Sequence, residues 1–353
     1  MIEKKEEEEK EKEKSLILMS KKPIKLGTKT ANLSKPYIFS NIFVKPKDEL
    51  NKSCIYINKL KENKIKIKSV IIILYFVIIT HLIKHVFMST EYKFLKLYYS
   101  KISLKINDIG NKKIYNTNTP DEIYINGNKT DSINNYYDFK EMYNYIELFW
   151  FNNIINCEKM FYDCSSIVEM DLSNFLSSEV NSTEFMFYGC SSLISINFTN
   201  FDTSNVEIMA YMFCGCLSLI SLNLDSFDTS QVTNMVCMFS GCSSLISINL
   251  SSFVMHNVLI TDAMFSGCSS LLSLDLSNFV TPSLQTFGNM FSGCSSLREL
   301  NISKFDTKEV YSMSQSFNGC SSLTSLDLSS FNTYQTVYYQ FMFSGCSSLT
   351  SLT

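Results

Sequence analysis

The sequence predicts an α/β repeat fold. This is a right-handed solenoid with one short strand and one short helix per 26-residue coil, preceded by a small β-rich cap and a membrane-inserting helix. Three observations predict it. Cys164, Cys190, Cys216, Cys242, Cys268, Cys294, Cys320 and Cys346 are spaced by 26 every time, with no insertion or deletion. Two phenylalanine columns keep the same step: one runs from Phe161 through Phe187, Phe213 and Phe239 to Phe343, the other from Phe175 through Phe201 and Phe227 to Phe331. Within each period, an alternating apolar stretch is followed by one in which apolar residues recur at three and four. Columns in fixed phase mean coils stacked on one continuous core.

Taken in order, residues 1–68 read as a charged tail and linker. MIEKKEEEEKEKEK alternates charges with almost no apolar content, and residues 15–68 show no sustained period around Pro23, Pro36 and Pro46. Residues 69–88 read as a transmembrane or signal-anchor segment, because 15 of the 19 residues from Val70 to Met88 are apolar. A buried strand or core helix is the other reading, given Lys84 and His85. Six Lys precede the segment in residues 51–68 and four follow in 84–101, which places the carboxy-terminal array outside. Residues 102–156, with PDEIYINGNKT and IELFWFNNIINC, predict a β-rich cap over the open edge of the first coil.

One repeat unit, read from Gly241, is GCSSLISINLSSFVMHNVLITDAMFS. Its Leu245, Ile248, Leu250 and Phe253 follow a leucine-rich-repeat spacing, so the coil is leucine-rich-repeat-like. A strand from Ser247 to Ser251 turns Ile248 and Leu250 inward and Asn249 outward. In the unit before it, Val232, Met235, Met238 and Phe239 predict a short helix, with Thr229 or Ser230 capping its first turn and Gly241 ending it. The array of residues 157–353 stops inside the strand of a new coil. Either the sequence is a fragment of a longer array, or the last coil frays, or it docks end to end with another copy; fraying in the isolated chain, with Phe343, Leu349 and Leu352 exposed, is the expectation.

These residues resemble the BspA-like branch of leucine-rich-repeat proteins, the bacterial surface protein repeat family. The likeness lies in MFSGCSSLISINLSSF from Met238 and MFCGCLSLISLNLDSFDTSQVTNM from Met212. The first unit departs from the pattern, with Asp163 in place of Gly and Leu176-Ser177-Ser178 in place of Asp-Thr-Ser. The resemblance implies a surface-exposed protein linked to adhesion.

Chemistry is sparse in this sequence. Of the three histidines, His81 and His85 lie in the apolar segment and His256 alone lies in the array, so no His-based triad or His metal cluster can be assembled. GxGxxG, GxxxxGK[ST] and GxSxG are absent, which predicts no enzyme, no cofactor and no catalytic residues. Residues 151–353 carry four Lys/Arg against sixteen Asp/Glu, which argues against nucleic acid as a partner. The cysteine column predicts buried thiols that pack as small hydrophobes; a disulfide or metal reading stays open because coils stack close together.

The candidate binding face is the outward column Asp171, Asn197, Asn223, Asn249, Asp275, Asn301 and Asp327. It suits repeated hydrogen bonds to a protein or glycan, or calcium bridging by the carboxylates; a solvated ladder without a ligand accounts for it equally well. Asn128, Asn181, Asn197, Asn249 and Asn301 begin N-x-[ST] sequons. The expected function is macromolecular binding at the cell surface, in adhesion or host contact, by a membrane-anchored or secreted array. A passive surface scaffold and an intracellular interaction module are the alternatives.

Overall fold

A computed structural model describes residues 99–353, and it is built from strands and turns. The cap begins with β1 (Ser100–Ile106), whose alternation buries Ile102, Leu104 and Ile106. There follow β2 (Gly110–Lys113), β3 (Glu122–Ile125), β4 (Asn128–Lys129), β5 (Tyr136–Phe139) and β6 (Asn144–Trp150). Strand β6 runs antiparallel to β1, pairing Ser100 with Trp150 and Ile106 with Asn144. Strand β2 pairs with β5 in a separate ribbon. The first array strand, β7 (Ile167–Asn174), lies antiparallel on the other side of β1, and β8 (Ser195–Asn197) then follows β7 in parallel. One six-stranded sheet, ordered β4-β3-β6-β1-β7-β8, thus passes from cap into array without a break.

Beyond β8 the coils keep a constant step. Short parallel pairs recur between β9 (Ser273–Asp275) and β10 (Glu299–Asn301), and between β11 (Ser325–Leu326) and β12 (Ser351–Leu352). On the other flank, parallel bridges join Asn156, Ser182, Ile208, Asn234, Ile260, Thr286, Ser312 and Tyr338 in succession. Phe161, Phe187, Phe213, Phe239, Phe265, Phe291 and Phe317 are fully buried, and neighbouring rings lie nearly parallel at centroid distances such as 5.7 Å for Phe213–Phe239 and 5.5 Å for Phe239–Phe265. Each buried ring removes enough apolar surface to contribute about 2–3 kcal/mol. Phe343 and Leu349 are half-buried and Leu352 is exposed, whereas Phe239 and Leu245 are fully buried.

The helix expected in every coil is not formed. No helix occurs among the described residues, and a run of consecutive tight turns takes its place. The backbone shows why. Alternate amides are given to the next coil: Met235 N–H to Ile260 O at 3.0 Å, Cys237 N–H to Asp262 O at 2.9 Å, Phe239 N–H to Met264 O at 2.9 Å and Gly241 N–H to Ser266 O at 2.7 Å. The intervening amides close four-residue β-turns, Met238 N–H on Met235 O, Ser240 N–H on Cys237 O and Cys242 N–H on Phe239 O. A helix would keep those amides for itself, and packed helices stand about 8–10 Å apart. The ring spacing of 5.5 Å between Phe239 and Phe265 leaves no room for that.

The turn run needs left-handed backbone twice per coil. Gly241 supplies it at φ 74°, and Cys237 does so at φ 53° without being glycine. Residues at the positions equivalent to Cys237 range from Lys159 to Phe341, and each has positive φ. The strain of about 1 kcal/mol or more at each is offset by the amide bond to the next coil. The membrane-inserting helix expected at residues 69–88 lies outside the described residues, and no helix among those described is long and apolar enough to cross a membrane. A strand-and-turn solenoid therefore replaces the expected helical architecture.

Candidate functional site

The predicted face is present as a column, and its side chains are largely committed to the fold. Asn197, Asn223, Asn249, Asp275, Asn301 and Asp327 are exposed, and Asp171 is half-buried. In all seven, Oδ1 accepts the backbone N–H two residues on. Representative bonds are Ser173 to Asp171 at 3.0 Å, Asp225 to Asn223 at 2.9 Å, Ser251 to Asn249 at 3.1 Å and Ser329 to Asp327 at 2.9 Å. Thr199, Ser277 and Ser303 donate in the same way to Asn197, Asp275 and Asn301. This Asx turn follows the outward position of each coil and gives the amide two residues on a partner. The Ser277 and Ser329 amides hold the carboxyls of Asp275 and Asp327 below the usual carboxylate range.

Cross-coil bonds link the column as well, such as Asn197 Nδ2 to Asp171 Oδ1 at 2.9 Å. No two carboxylates of the column occupy adjacent coils, since Asn197 follows Asp171, Asn249 precedes Asp275, Asn301 separates Asp275 from Asp327, and the Thr353 hydroxyl donates to Asp327 at 3.3 Å. Bridging of neighbouring carboxylates by calcium therefore has no basis here. Among the described residues, no group of three His, Cys, Asp or Glu is placed to hold a metal ion. Of the sequon residues, Asn197 has both side-chain ends engaged, donating to Asp171 and accepting from Thr199.

The cysteine column sits inside. Cys164, Cys190, Cys216, Cys242, Cys268, Cys294 and Cys320 are buried, Cys346 is half-buried, and all are free thiols. Each thiol from Cys190 onward donates to a phenylalanine carbonyl of the coil before it, from Cys190 to Phe161 at 3.2 Å to Cys346 to Phe317 at 3.0 Å. The accepting carbonyl also takes the amide of its own coil's cysteine, as Phe239 O does from Cys242 N–H and Cys268 Sγ. Desolvation pushes the thiols up, to about 12 for Cys190 and Cys320. Such thiols are poor nucleophiles.

Thr229, expected as a helix cap, does something else. Fully buried, its hydroxyl donates to Val254 O at 2.9 Å and accepts Val254 N–H at 2.7 Å, stapling one coil to the next. Thr203, Thr281 and Thr307 repeat both bonds to Asp228, Asp306 and Asn332. Met255 interrupts this row, and there Asn278 Nδ2 reaches back to Phe253 O at 3.1 Å.

Sequence reasoning missed one surface feature. Ile194, Ile220, Ile246 and Leu272, each three residues ahead of an Asn or Asp of the column, are exposed by 49, 49, 46 and 44 %. They lie in successive coils joined through the backbone, as in Ile246 N–H to Ile220 O and Leu272 N–H to Ile246 O, both 3.2 Å. The stripe ends where Arg298 and Thr324 take the equivalent positions. In the sequence these residues merge with the adjacent core leucines, for instance Leu245 beside Ile246. The signal was their one-residue offset from the inward leucine.

A family model described as "Mycoplasma protein of unknown function, DUF285" matches residues 155–279 and 262–352, together more than half of the chain. No curated protein matches. Among solved structures, the chain is similar to one described as "Crystal structure of TLR13-ssRNA13 complex", at 19% identity and a TM-score of 0.22. That match covers 57% of this chain and 38% of the other.

Proposed function

The chain belongs to the family described as Mycoplasma protein of unknown function, DUF285, and on that premise we propose that it is a non-enzymatic repeat scaffold that binds a protein partner in adhesion or host contact at the cell surface. The observation that carries this reading is the stripe Ile194–Ile220–Ile246–Leu272. Four half-exposed aliphatic side chains in successive coils form a contiguous patch of the kind that marks interaction sites. They flank a polar column whose Oδ1 atoms are already used, leaving amide N–H groups and second carboxylate oxygens to form the rim. The finer assignment to the BspA-like branch belongs to this proposal. It rests on MFSGCSSLISINLSSF from Met238 and its counterparts, and adhesion at the cell surface comes from that resemblance.

The seven Asx turns favour a second reading, a passive scaffold, because they give the Asn/Asp column a structural role that needs no ligand. The two separate in a binding assay of the full chain on cultured cells and on purified extracellular-matrix proteins. Ile220→Lys with Ile246→Lys should reduce binding by about tenfold or more, as expected when central apolar anchors are lost, while thermal stability stays unchanged. Unchanged binding, or no binding by the parent chain, would leave the passive scaffold standing.

A further inference from the structure

The coils share one plan along the array, and one departure from it lies where the first coil meets the cap. Leu176-Ser177-Ser178 stand where the next two coils have Asp202-Thr203-Ser204 and Asp228-Thr229-Ser230. That departure coincides with a cleft of about 650 Å³ beside the start of β1 and the ends of β6 and β7. On the cap side it is walled by Tyr99 and Phe149. Tyr99 is braced by Phe151 at a ring distance of 4.5 Å, and the ammonium of Lys101 lies 5.9 Å from the centre of the Phe149 ring. On the array side it is walled by Leu176, which is 43 % exposed, and by Ser178, Asn200 and Asp202, all exposed.

We infer that this cleft binds a saccharide, as a single sugar or the end of a glycan chain. The basic group that would select an anion is already occupied, since Lys101 Nζ lies 2.8 Å from Glu147 Oε1. Asp202 has one carboxylate oxygen on the Ser204 amide at 2.9 Å and its own amide on Ser177 Oγ at 2.7 Å, so it is fixed with a single oxygen to spare. Asn200 is held in the left-handed region at φ 70° with Nδ2 on Ser173 O at 3.3 Å, which leaves its Oδ1 as an acceptor. The cleft therefore sets the Tyr99 and Phe149 rings of the cap opposite a wall on which Leu176 stands beside hydroxyl, amide and carboxylate groups. A sugar matches that division: its C–H faces lie against rings, and its rim of hydroxyls donates to Asn200 and Asp202 and exchanges bonds with Ser178. The volume falls in the range of small-ligand sites.

The test is titration of the full chain with the methyl glycosides of glucose, galactose, mannose and N-acetylglucosamine, followed by saturation-transfer NMR and calorimetry. At least one should bind with a Kd of about 1 mM or tighter. Leu176→Trp, which fills the cleft from an exposed position, and Asn200→Ala should each weaken it by about tenfold or more, while His256→Ala, far along the array, should not change it. Binding by none of the four, or binding that survives both cleft substitutions, overturns the assignment.

Discussion

The hydroxyl of Thr229 shows how much of this fold is held by single polar atoms. It is fully buried and satisfies both the N–H and the C=O of Val254, so Thr229→Val keeps the shape and strands two backbone groups. A loss of about 1–3 kcal/mol is expected in urea denaturation, because the cost is that of unpaired buried groups. Thr229→Ser should recover most of it. Gly241→Ala tests a different term. A Cβ there would lie 3.6 Å from Gly215 Cα, an ordinary contact, so the penalty comes from φ 74° and should be about 1–2 kcal/mol by the same measurement.

At the scale of one coil, the turn run that replaces the helix makes each coil dependent on its neighbours. The amides of Met235, Cys237, Phe239 and Gly241 have their partners in the coil that follows, so a single coil has no stable isolated state. A coil is therefore the unit that can be removed. Deleting residues 241–266 joins Ser240 to Gly267 and restores every column, and the product should unfold cooperatively at a somewhat lower temperature. Deleting only residues 241–253 puts the Phe and Cys columns out of phase and should abolish cooperative unfolding by calorimetry. Equal tolerance of both deletions would contradict the ladder. The cap serves the other end of this scheme: the first coil's carbonyls are met by Asn116 N–H on Met160 O at 2.7 Å, Thr117 Oγ1 on Glu158 O at 2.7 Å and Lys113 Nζ on Tyr162 O at 2.7 Å.

Across the whole molecule, the cysteine ladder couples stability to pH. Buried thiols from Cys164 to Cys320 have values raised above the ordinary value of about 9, with Cys190 and Cys320 near 12. An unfolded chain would ionise them above pH 9 while the folded one keeps its protons, so their contribution is complete below pH 9 and is lost as pH rises toward 12. Each such thiol adds about 1.4 kcal/mol per pH unit to the fall in that window. The melting temperature should be nearly level from pH 6 to 8 and drop steeply above 9, and Cys190→Ala should make that drop shallower by one proton's worth. A flat profile to pH 11 would mean that the thiols are not buried in solution.

The 26-residue step and the inward columns of Phe239 and Cys242 were legible without coordinates, because they follow from residue type repeated at constant spacing, and the DUF285 match covers the same region. The expected helix is absent from the described residues for a physical reason. Val232, Met235, Met238 and Phe239 recur at three and four residues in a chain of tight turns as they would in a helix, and only the partner taken by the Met235 amide, Ile260 O in the next coil, distinguishes them. Asn249 likewise reads as a free outward amide until the Ser251 N–H is found on its Oδ1. The cleft depends wholly on tertiary structure, since Tyr99 and Phe149 come to face Leu176 only because β1 pairs with both β6 and β7. Composition and period establish which residues face inward; which backbone groups and distant surfaces meet is decided by how closely one coil lies on the next.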